Sequence, residues 1–216
     1  MRPRTAPLDL APQGNVDFIA ARIRAGALRH LLTGDPAELP EGAPDAASIW
    51  GRRTDDLADA LAETDSLTDR TRILARWLRS RLSPASTGRA DAAIDRSIER
   101  IYRDPAAGLD SAIGLSSLGV RQFERRFKHA AALSPKRFQR LARMYKLVRF
   151  ETLRPSESYL PRALDLGYFD QAHVIHEFRE LAGQPPLSLL AEIATRTHFY
   201  NSPRPGAGSF QACPTR

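Results

Sequence analysis

The stretch GYFDQAHVIHEFRELAG, residues 167–183, decides how the second half of the chain folds. Its apolar residues follow one another at steps of four, three and one, which is the spacing of a single helix face: Val174, Phe178, Leu181 and Ala182. Asp170 stands where an N-cap belongs and Gly183 stands where a helix ends. The first turn of this predicted helix is crowded with hydrogen-bonding side chains. A catalytic helix, a metal-binding helix and a helix that reads DNA bases would each need such a face.

The composition favours a helical protein with room for one large domain or two small ones. The chain has 216 residues, of which 26% are charged and 42% are hydrophobic, ordinary values for a globular protein. Ala, Leu and Arg, which are strong helix formers, dominate. The single cysteine, Cys213, cannot form an internal disulfide, and we recognise neither a signal peptide nor an apolar run of ~20 residues. We therefore expect a cytoplasmic protein.

The positive charge is concentrated in one segment. The chain carries a net charge of +7, yet residues 121–154 contain eleven Lys or Arg against two acids, Glu124 and Glu151. A basic excess confined to one segment is typical of a surface that binds a polyanion. The alternative is a solvated helix face, but such faces tend to mix both signs of charge. The charge pattern therefore favours a polyanion partner.

The first half of the chain is predicted to hold short elements between loops. A strand at Phe18–Ile23 is expected near the N-terminus, followed by a short helix that ends near Leu32. Two amphipathic helices are expected between Asp55 and Leu82, because apolar residues recur there at helical spacing. Small and polar residues at 84–91 then predict a linker.

Beyond this linker the same unit occurs twice: a short helix, a three-residue break, and a longer helix with polar residues at its start. The two units lie at about 109–131 and about 158–183. Between them Ser134-Pro135, an N-cap followed by a proline, opens a long helix over 135–153. This helix is apolar on more than one side and is expected to be buried. Its apolar residues form one stripe of Phe138, Leu141, Ala142, Tyr145 and Val148, with Met144, Leu147 and Phe150 facing elsewhere.

A short helix, a tight turn and a second helix make a helix-turn-helix, whose second helix lies in the DNA major groove. Two such units joined by a long helix would present two recognition helices to duplex DNA. The expected fold class is therefore all-α. It comprises two helix-turn-helix subdomains, each a homeodomain-like three-helix unit, joined by a long linker helix and preceded by a small, mostly helical N-terminal segment.

The motifs of this region resemble those of a known family. GYFDQAH…FRELAG…P closely resembles the signature of the AraC/XylS family of bacterial transcription regulators. LGVRQFERRFK…LSPKRF is similar to that family's first helix-turn-helix and to the start of its linker helix. The resemblance covers about 92–195. It implies a bihelical domain that binds promoter or operator DNA, typically as an activator and sometimes as a repressor, with RNA polymerase as a further partner.

The resemblance also implies which residues contact DNA. The first recognition helix contributes Arg121, Gln122, Glu124, Arg125 and Lys128. The second recognition helix contributes Gln171, Ala172, His173, His176 and Arg179. Arg is the natural bidentate partner of guanine O6 and N7, and Gln can pair with adenine N6 and N7. The polar first turn of the stretch 167–183 is thus expected to face the groove, while Val174 and Phe178 hold the helix in place.

The sequence departs from the family pattern at several positions. Ser117 stands where a glycine is usual, and Gly119 stands where a small polar N-cap usually follows. Arg162 replaces an apolar residue, and the adjacent Pro161 is tolerated only in the first turn of a helix. His176 stands where Arg is common. We expect these departures to affect the affinity of the second unit more than its fold.

The N-terminal segment resembles only the end of a sensor domain found upstream in some family members, through RIRAGALRHLL and the SIWG at 48–51. The β-rich barrel that carries the effector site in that domain is expected to be missing. The expected organisation is a disordered N-terminus at 1–14, a sensor remnant at 15–83, the linker at 84–91, the DNA-binding domain at 92–196 and a disordered tail at 197–216.

Other chemistries have weaker support in the sequence. His173 and His176 lie three apart on one helix, as metal ligands can, but no third ligand follows at a recognisable spacing. Cys213 could act as a nucleophile, although it lies in a Pro- and Gly-rich tail. The chain has no Gly-rich loop of the type that cradles phosphates. We therefore expect no enzyme activity, no cofactor and no metal.

Two classes of function remain. The first is a sequence-specific DNA-binding transcription regulator that reads two successive major-groove segments with its two recognition helices. The alternative is a truncated or vestigial helical interaction module with weak nonspecific DNA binding. A regulator should bind its own upstream region with an affinity that falls steeply with salt, because phosphate contacts release counterions.

Overall fold

The computed structural model describes residues 19–21, 23–24, 26–32, 39, 44–82 and 89–195. One 3₁₀-helix, ten α-helices and no strand lie within these residues, so the predicted all-α class is confirmed for them. No helix in the described ranges is long and apolar enough to cross a membrane. The 3₁₀-helix is Ala27–His30, and the α-helices are α1 Ala46–Trp50, α2 Arg53–Ala62, α3 Leu67–Arg81, α4 Arg89–Arg103, α5 Leu109–Gly114, α6 Val120–Ala131, α7 Pro135–Leu153, α8 Leu160–Asp165, α9 Gln171–Ala182 and α10 Pro186–Thr195.

The structure differs from one expectation for the N-terminal half. The described residues of the predicted strand, 19–21 and 23, form no regular structure. Helix α4 begins at Arg89, inside the predicted linker, and Asp91 in its first turn stabilises the positive end of the helix dipole. Residues 84–88, 1–14 and 197–216 lie outside the described residues, so the predictions made for them stay predictions.

The chain divides into two compact units. The first unit comprises residues 1–103 and 108–138, and the second comprises residues 104–107 and 139–216. The division falls within α7, whose residues up to Phe138 belong to the first unit while Gln139 and those after it belong to the second. Each unit has its own buried core and is described separately.

The first unit is built on α4, which contacts both α5 and α6. Its buried residues recur at helical spacing on α4 (Ile94, Ile98 and Ile101) and on α6 (Phe123 and Phe127). Phe127 also packs edge-on against Phe138, with 5.6 Å between ring centroids. The buried Ser97 hydroxyl donates to the Ala112 carbonyl at 2.7 Å, which ties α4 to α5.

The segment around the 3₁₀-helix packs on the same unit. Arg29 reaches α4, where its guanidinium pairs with Asp95 at 2.8 Å. The indole of Trp50 donates to the Leu31 carbonyl at 2.8 Å and stacks edge-on against Trp77, with 5.2 Å between ring centroids. Helices α2 and α3 contact each other, as expected for an amphipathic pair.

The second unit buries residues from α7 to α10. Its core comprises Leu147, Val148, Tyr159, Ala163, Leu166, Tyr168, Val174, Phe178 and Ile193. Gly167 has a left-handed φ of 89°, and a Cβ there would lie 2.9 Å from the Cα of Ala106, so only glycine fits without a backbone shift. Phe150 does not join the core: its 42% exposure corrects the expectation that this part of α7 is buried.

Candidate nucleic-acid interface

Helix α6 presents the residues predicted for the first recognition helix. All five are exposed: Arg121, Gln122, Glu124, Arg125 and Lys128. Because they recur at steps of four and three, Arg121, Arg125 and Lys128 share one stripe of the helix. Phe123 and Phe127, each 0% exposed, hold the opposite face in the core. The stripe is thus a row of three cations for which the described part of the chain supplies no ion-pair partner.

The turn that leads into α6 explains how this helix is aimed. Ser117 adopts a left-handed conformation with φ 54°, at the position where the family pattern has glycine. The buried Ser116 hydroxyl oxygen accepts from the Leu118 N–H at 3.1 Å and closes the turn. Gly119 is the N-cap of α6 and supplies no side-chain hydrogen bond, so the helix starts with a weaker cap than a serine would give.

The cations of the basic segment are not all exposed. Arg126 lies 3.4 Å from Asp91, and the exposed fractions of Arg140 and Arg143 side chains are only 19% and 12%. Arg140 and Arg143 both pair with acids of α9. These three arginines therefore neutralise the protein's own carboxylates. The exposed cations of the segment are Arg121, Arg125, Lys128, Lys136, Arg149 and Arg154.

Helix α9 begins as predicted. The Asp170 carboxylate caps it by accepting the His173 N–H at 2.7 Å, and Gly183 ends it in a left-handed conformation with φ 76°. The side chains exposed along α9 include four of the five predicted DNA contacts: Gln171, Ala172, His176 and Arg179. Ala172, His176 and Arg179 recur at steps of four and three, so they lie on one stripe of the helix.

His173 is placed differently from the other four. Its Nδ1 accepts a hydrogen bond from the Phe169 N–H at 3.2 Å, so the ring proton of neutral His173 sits on Nε2. Nε2 then donates to Glu177 Oε2, also at 3.2 Å. The ring packs edge-on against Tyr168, with 5.3 Å between centroids. Since both ring nitrogens are engaged, the structure gives His173 a role in fixing the turn.

Glu177 is the centre of a buried ion cluster behind the exposed face of α9. The residue is 3% exposed, and its Oε2 lies 3.2 Å from both Arg140 Nε and Arg143 Nη2. Arg143 Nη1 also donates to the Gly167 carbonyl at 2.7 Å. Two arginines of α7 therefore hold α9 and the turn before it in one position.

The contacts of the cluster raise the pKa of two of its groups, Arg140 and Tyr168. The hydrogen bond from Arg140 to Glu180 is the main cause that raises the pKa of Arg140. Burial raises the pKa of Tyr168, and the nearby Glu177 carboxylate raises it further. Tyr168 therefore stays neutral, while the Arg143 guanidinium lies 5.1 Å from its ring centroid in a cation–π contact.

Arg162 is accommodated by a second buried carboxylate. Its Nη1 lies 2.8 Å from Glu151 Oε1, and Glu151 is only 6% exposed. The Ser156 hydroxyl donates to the same carboxylate at 2.8 Å. Pro161 lies in the first turn of α8, the position in which it was predicted to be tolerated. An ion pair thus lies at the position where an apolar residue was expected from the resemblance.

Sequence reasoning missed four residues in α9, in the turn before it and in the part of α7 that contacts it. Arg140 and Arg143 were counted as surface charge, and Glu177 was passed over although it follows His173 by one helical turn. Phe169 was also passed over, and the residue is 86% exposed. The one-turn spacing of His173 and Glu177 was the available signal, because such pairs meet on a helix surface.

The arrangement offers hydrogen-bond donors and cations on two helix faces. Within the described residues no group of three or more His, Cys, Asp or Glu is placed to hold a metal ion, and Cys213 lies outside them. Exposed Arg and Gln side chains at the start of a helix can pair with base edges, and exposed Lys can contact phosphate. Comparisons with protein-family models, with curated proteins and with solved structures give no match for this chain.

Proposed function

We propose that the protein is a sequence-specific DNA-binding transcription regulator of the kind found in the AraC/XylS family. In this proposal α5–α6 and α8–α9 are two helix-turn-helix units joined by α7. Helices α6 and α9 are the recognition helices, which read two successive major-groove segments. The single observation that carries the proposal is the exposed stripe of Arg121, Arg125 and Lys128 on α6, none of which forms an ion pair with another described residue.

The chemistry of the stripe supports a division of roles along α6. Arg121 and Arg125 lie within the first two turns of α6, where the N-terminal residues of a recognition helix meet base edges. A guanidinium can donate two hydrogen bonds to guanine O6 and N7. Lys128 lies farther along the helix, where an ammonium can neutralise a phosphate. Specificity would then come mainly from the two arginines.

Helix α9 has a weaker but complementary set of groups. Gln171 can pair with adenine, and Ala172 is small enough to let the helix approach the bases closely. His176 and Arg179 follow on the same side of the helix. His173, whose ring nitrogens are engaged, positions the turn instead of reading bases. We therefore propose α6 as the main reader and α9 as the secondary one.

Arg125→Ala tests the proposal on duplexes that the full chain selects from a random pool. We expect the variant to lose roughly 1–3 kcal/mol of binding free energy on the selected duplex and to relax the preference at one or two base pairs. The affinity of the wild type should also fall steeply with salt on every duplex. Binding would be measured by fluorescence anisotropy at two salt concentrations.

Arg76→Ala on α3 is the matched control, since it removes one exposed cation from a different helix. It should leave the preference for the selected duplex unchanged. If Arg125→Ala weakens selected and random duplexes equally, Arg125 contacts phosphate alone and α6 is not the main reader. Failure to enrich any sequence would instead favour the helical interaction module with weak nonspecific DNA binding.

A further inference from the structure

We propose that Phe169 is a specificity-determining residue that recognises thymine through its C5-methyl group in the major groove. The proposal rests on the proposed function, because it assigns one more base contact to the second recognition unit. Phe169 lies in the turn before α9, one residue ahead of the N-cap Asp170. Its 86% exposure exceeds that of the other exposed large hydrophobic residues described, which range from 42% to 66%.

Scattered exposed hydrophobic residues are common and need no special account, so exposure alone carries nothing. Phe169 differs because its backbone is fixed. Its N–H donates to His173 Nδ1 at 3.2 Å, and the following residue, Asp170, accepts the His173 N–H at 2.7 Å. The ring therefore projects from an ordered turn.

The turn is also held from the other side. Arg143 donates to the Gly167 carbonyl at 2.7 Å, and Gly167 approaches the Ala106 backbone too closely for any Cβ. His173 is in turn fixed by the buried Glu177. Because the backbone of Phe169 is ordered before any ligand arrives, little conformational entropy is lost when the ring docks.

The neighbours of Phe169 indicate what it meets. Gln171 and Ala172 follow it directly and are exposed on the first turn of α9, the part of a recognition helix that faces base edges. A neutral aromatic ring offers neither a charge nor a hydrogen-bond donor to a phosphate group. Thymine alone among the four bases presents an apolar group, its C5-methyl, in the major groove, and Phe is a side chain suited to contact it.

The experiment uses the full chain and the duplex that it selects from a random pool. Each thymine is replaced in turn by deoxyuridine, which removes the methyl group and leaves the hydrogen-bonding edge intact. For the wild type we expect one or two positions at which binding weakens about fourfold, the factor that corresponds to ~0.8 kcal/mol for one buried methyl. Phe169→Ala should bind the unmodified duplex about fourfold to tenfold more weakly, since the ring contact is lost.

The decisive readout is the coupling between the two changes. The deoxyuridine positions that weaken the wild type should have no further effect on Phe169→Ala. Phe150→Ala, which removes another exposed phenylalanine, should retain both the affinity and the deoxyuridine pattern of the wild type.

Three results would overturn the inference. One is an unchanged affinity of Phe169→Ala, which would leave the ring as an ordinary exposed residue or one that meets a protein. Another is an equal deoxyuridine effect in the wild type and Phe169→Ala. If no duplex is selected at all, both this inference and the proposed function fail, whereas selection with either of the first two results defeats this inference alone.

Discussion

Glu151 and Glu177 are buried carboxylates, at 6% and 3% exposure, and each is neutralised by arginine. A buried charge without a partner is costly, whereas a buried pair can be replaced by apolar side chains at little cost. The pair Glu151–Arg162 occupies a place where the family pattern has an apolar residue. It therefore offers a direct test of whether the two charges depend on each other.

Arg162→Leu should lower the free energy of unfolding by about 2–3 kcal/mol, because Glu151 is left buried without its cation. The double variant Glu151→Leu/Arg162→Leu should recover most of that loss. Urea unfolding followed by circular dichroism measures both values. Arg154→Leu, at an exposed position, is the control and should stay within about 0.5 kcal/mol of the wild type.

A small effect of Arg162→Leu would contradict this prediction. If Arg162→Leu alone costs less than about 0.5 kcal/mol, Glu151 does not need its partner, and the ion pair has no part in holding α8. The ion pair with Glu151 on α7 would then not compensate energetically for having Arg162 at a position where the family pattern has an apolar residue.

At the scale of the element, the start of α6 can be improved. Gly119 is its N-cap with φ −66° and ψ 151°, a conformation open to any residue, and an added Cβ would meet no atom within 4 Å. Gly119→Ser should stabilise the protein, because a serine hydroxyl can accept one of the free N–H groups of the first turn. Gly119→Ala lowers the conformational entropy of the unfolded chain in the same way but adds no capping hydroxyl.

We therefore expect Gly119→Ser to be more stable than Gly119→Ala by about 1 kcal/mol in urea unfolding. The alanine variant is the control for the entropy of the unfolded chain. Equal stability of the two variants would contradict the capping argument, since it would mean that the first-turn N–H groups are already satisfied.

The start of α7 and both ends of α9 could be predicted from the sequence because local residues set them. Ser134-Pro135 begins α7, and its hydroxyl accepts the Arg137 N–H at 3.3 Å, while Asp170 and Gly183 delimit α9. The start of α4 was missed because its first turn looks like a small-residue linker.

The rest of the candidate site depends on distant residues, which sequence alone does not bring together. Arg140 and Arg143 read as surface charge until Glu177, more than thirty residues later in the chain, is placed beside them. The exposed face of α6 was predictable because Phe123 and Phe127 fix its orientation by spacing alone. A count of charges therefore located the basic segment but could not separate its internal cations from its exposed ones.

At the scale of the whole molecule, α7 belongs to both compact units, so melting the second unit alone would end this helix after its first turn. Leu147 is 0% exposed in the second unit, and Leu147→Ala should cost roughly 2–5 kcal/mol. The chain's two tryptophans, Trp50 and Trp77, both lie in the first unit and report on it by fluorescence. We expect Leu147→Ala to lower the unfolding midpoint equally by fluorescence and by circular dichroism.

Separate transitions in Leu147→Ala would contradict this expectation. The fluorescence midpoint could stay at the wild-type value while the midpoint measured by circular dichroism decreases. That result would mean that the first unit stays folded with a shortened α7. Arg154→Leu again serves as the control, since its exposed side chain should shift neither probe.

The close approach of Gly167 to Ala106 limits which substitutions this protein can accept during evolution. Every missense change at position 167 adds a Cβ, and that atom would lie 2.9 Å from the Cα of Ala106, where backbone and not a flexible side chain must yield. Single substitutions can change the exposed side chains of α6 and α9 one at a time. At position 167, by contrast, every substitution meets the same backbone clash. The site with no side chain is thus more constrained than the side chains proposed to read DNA.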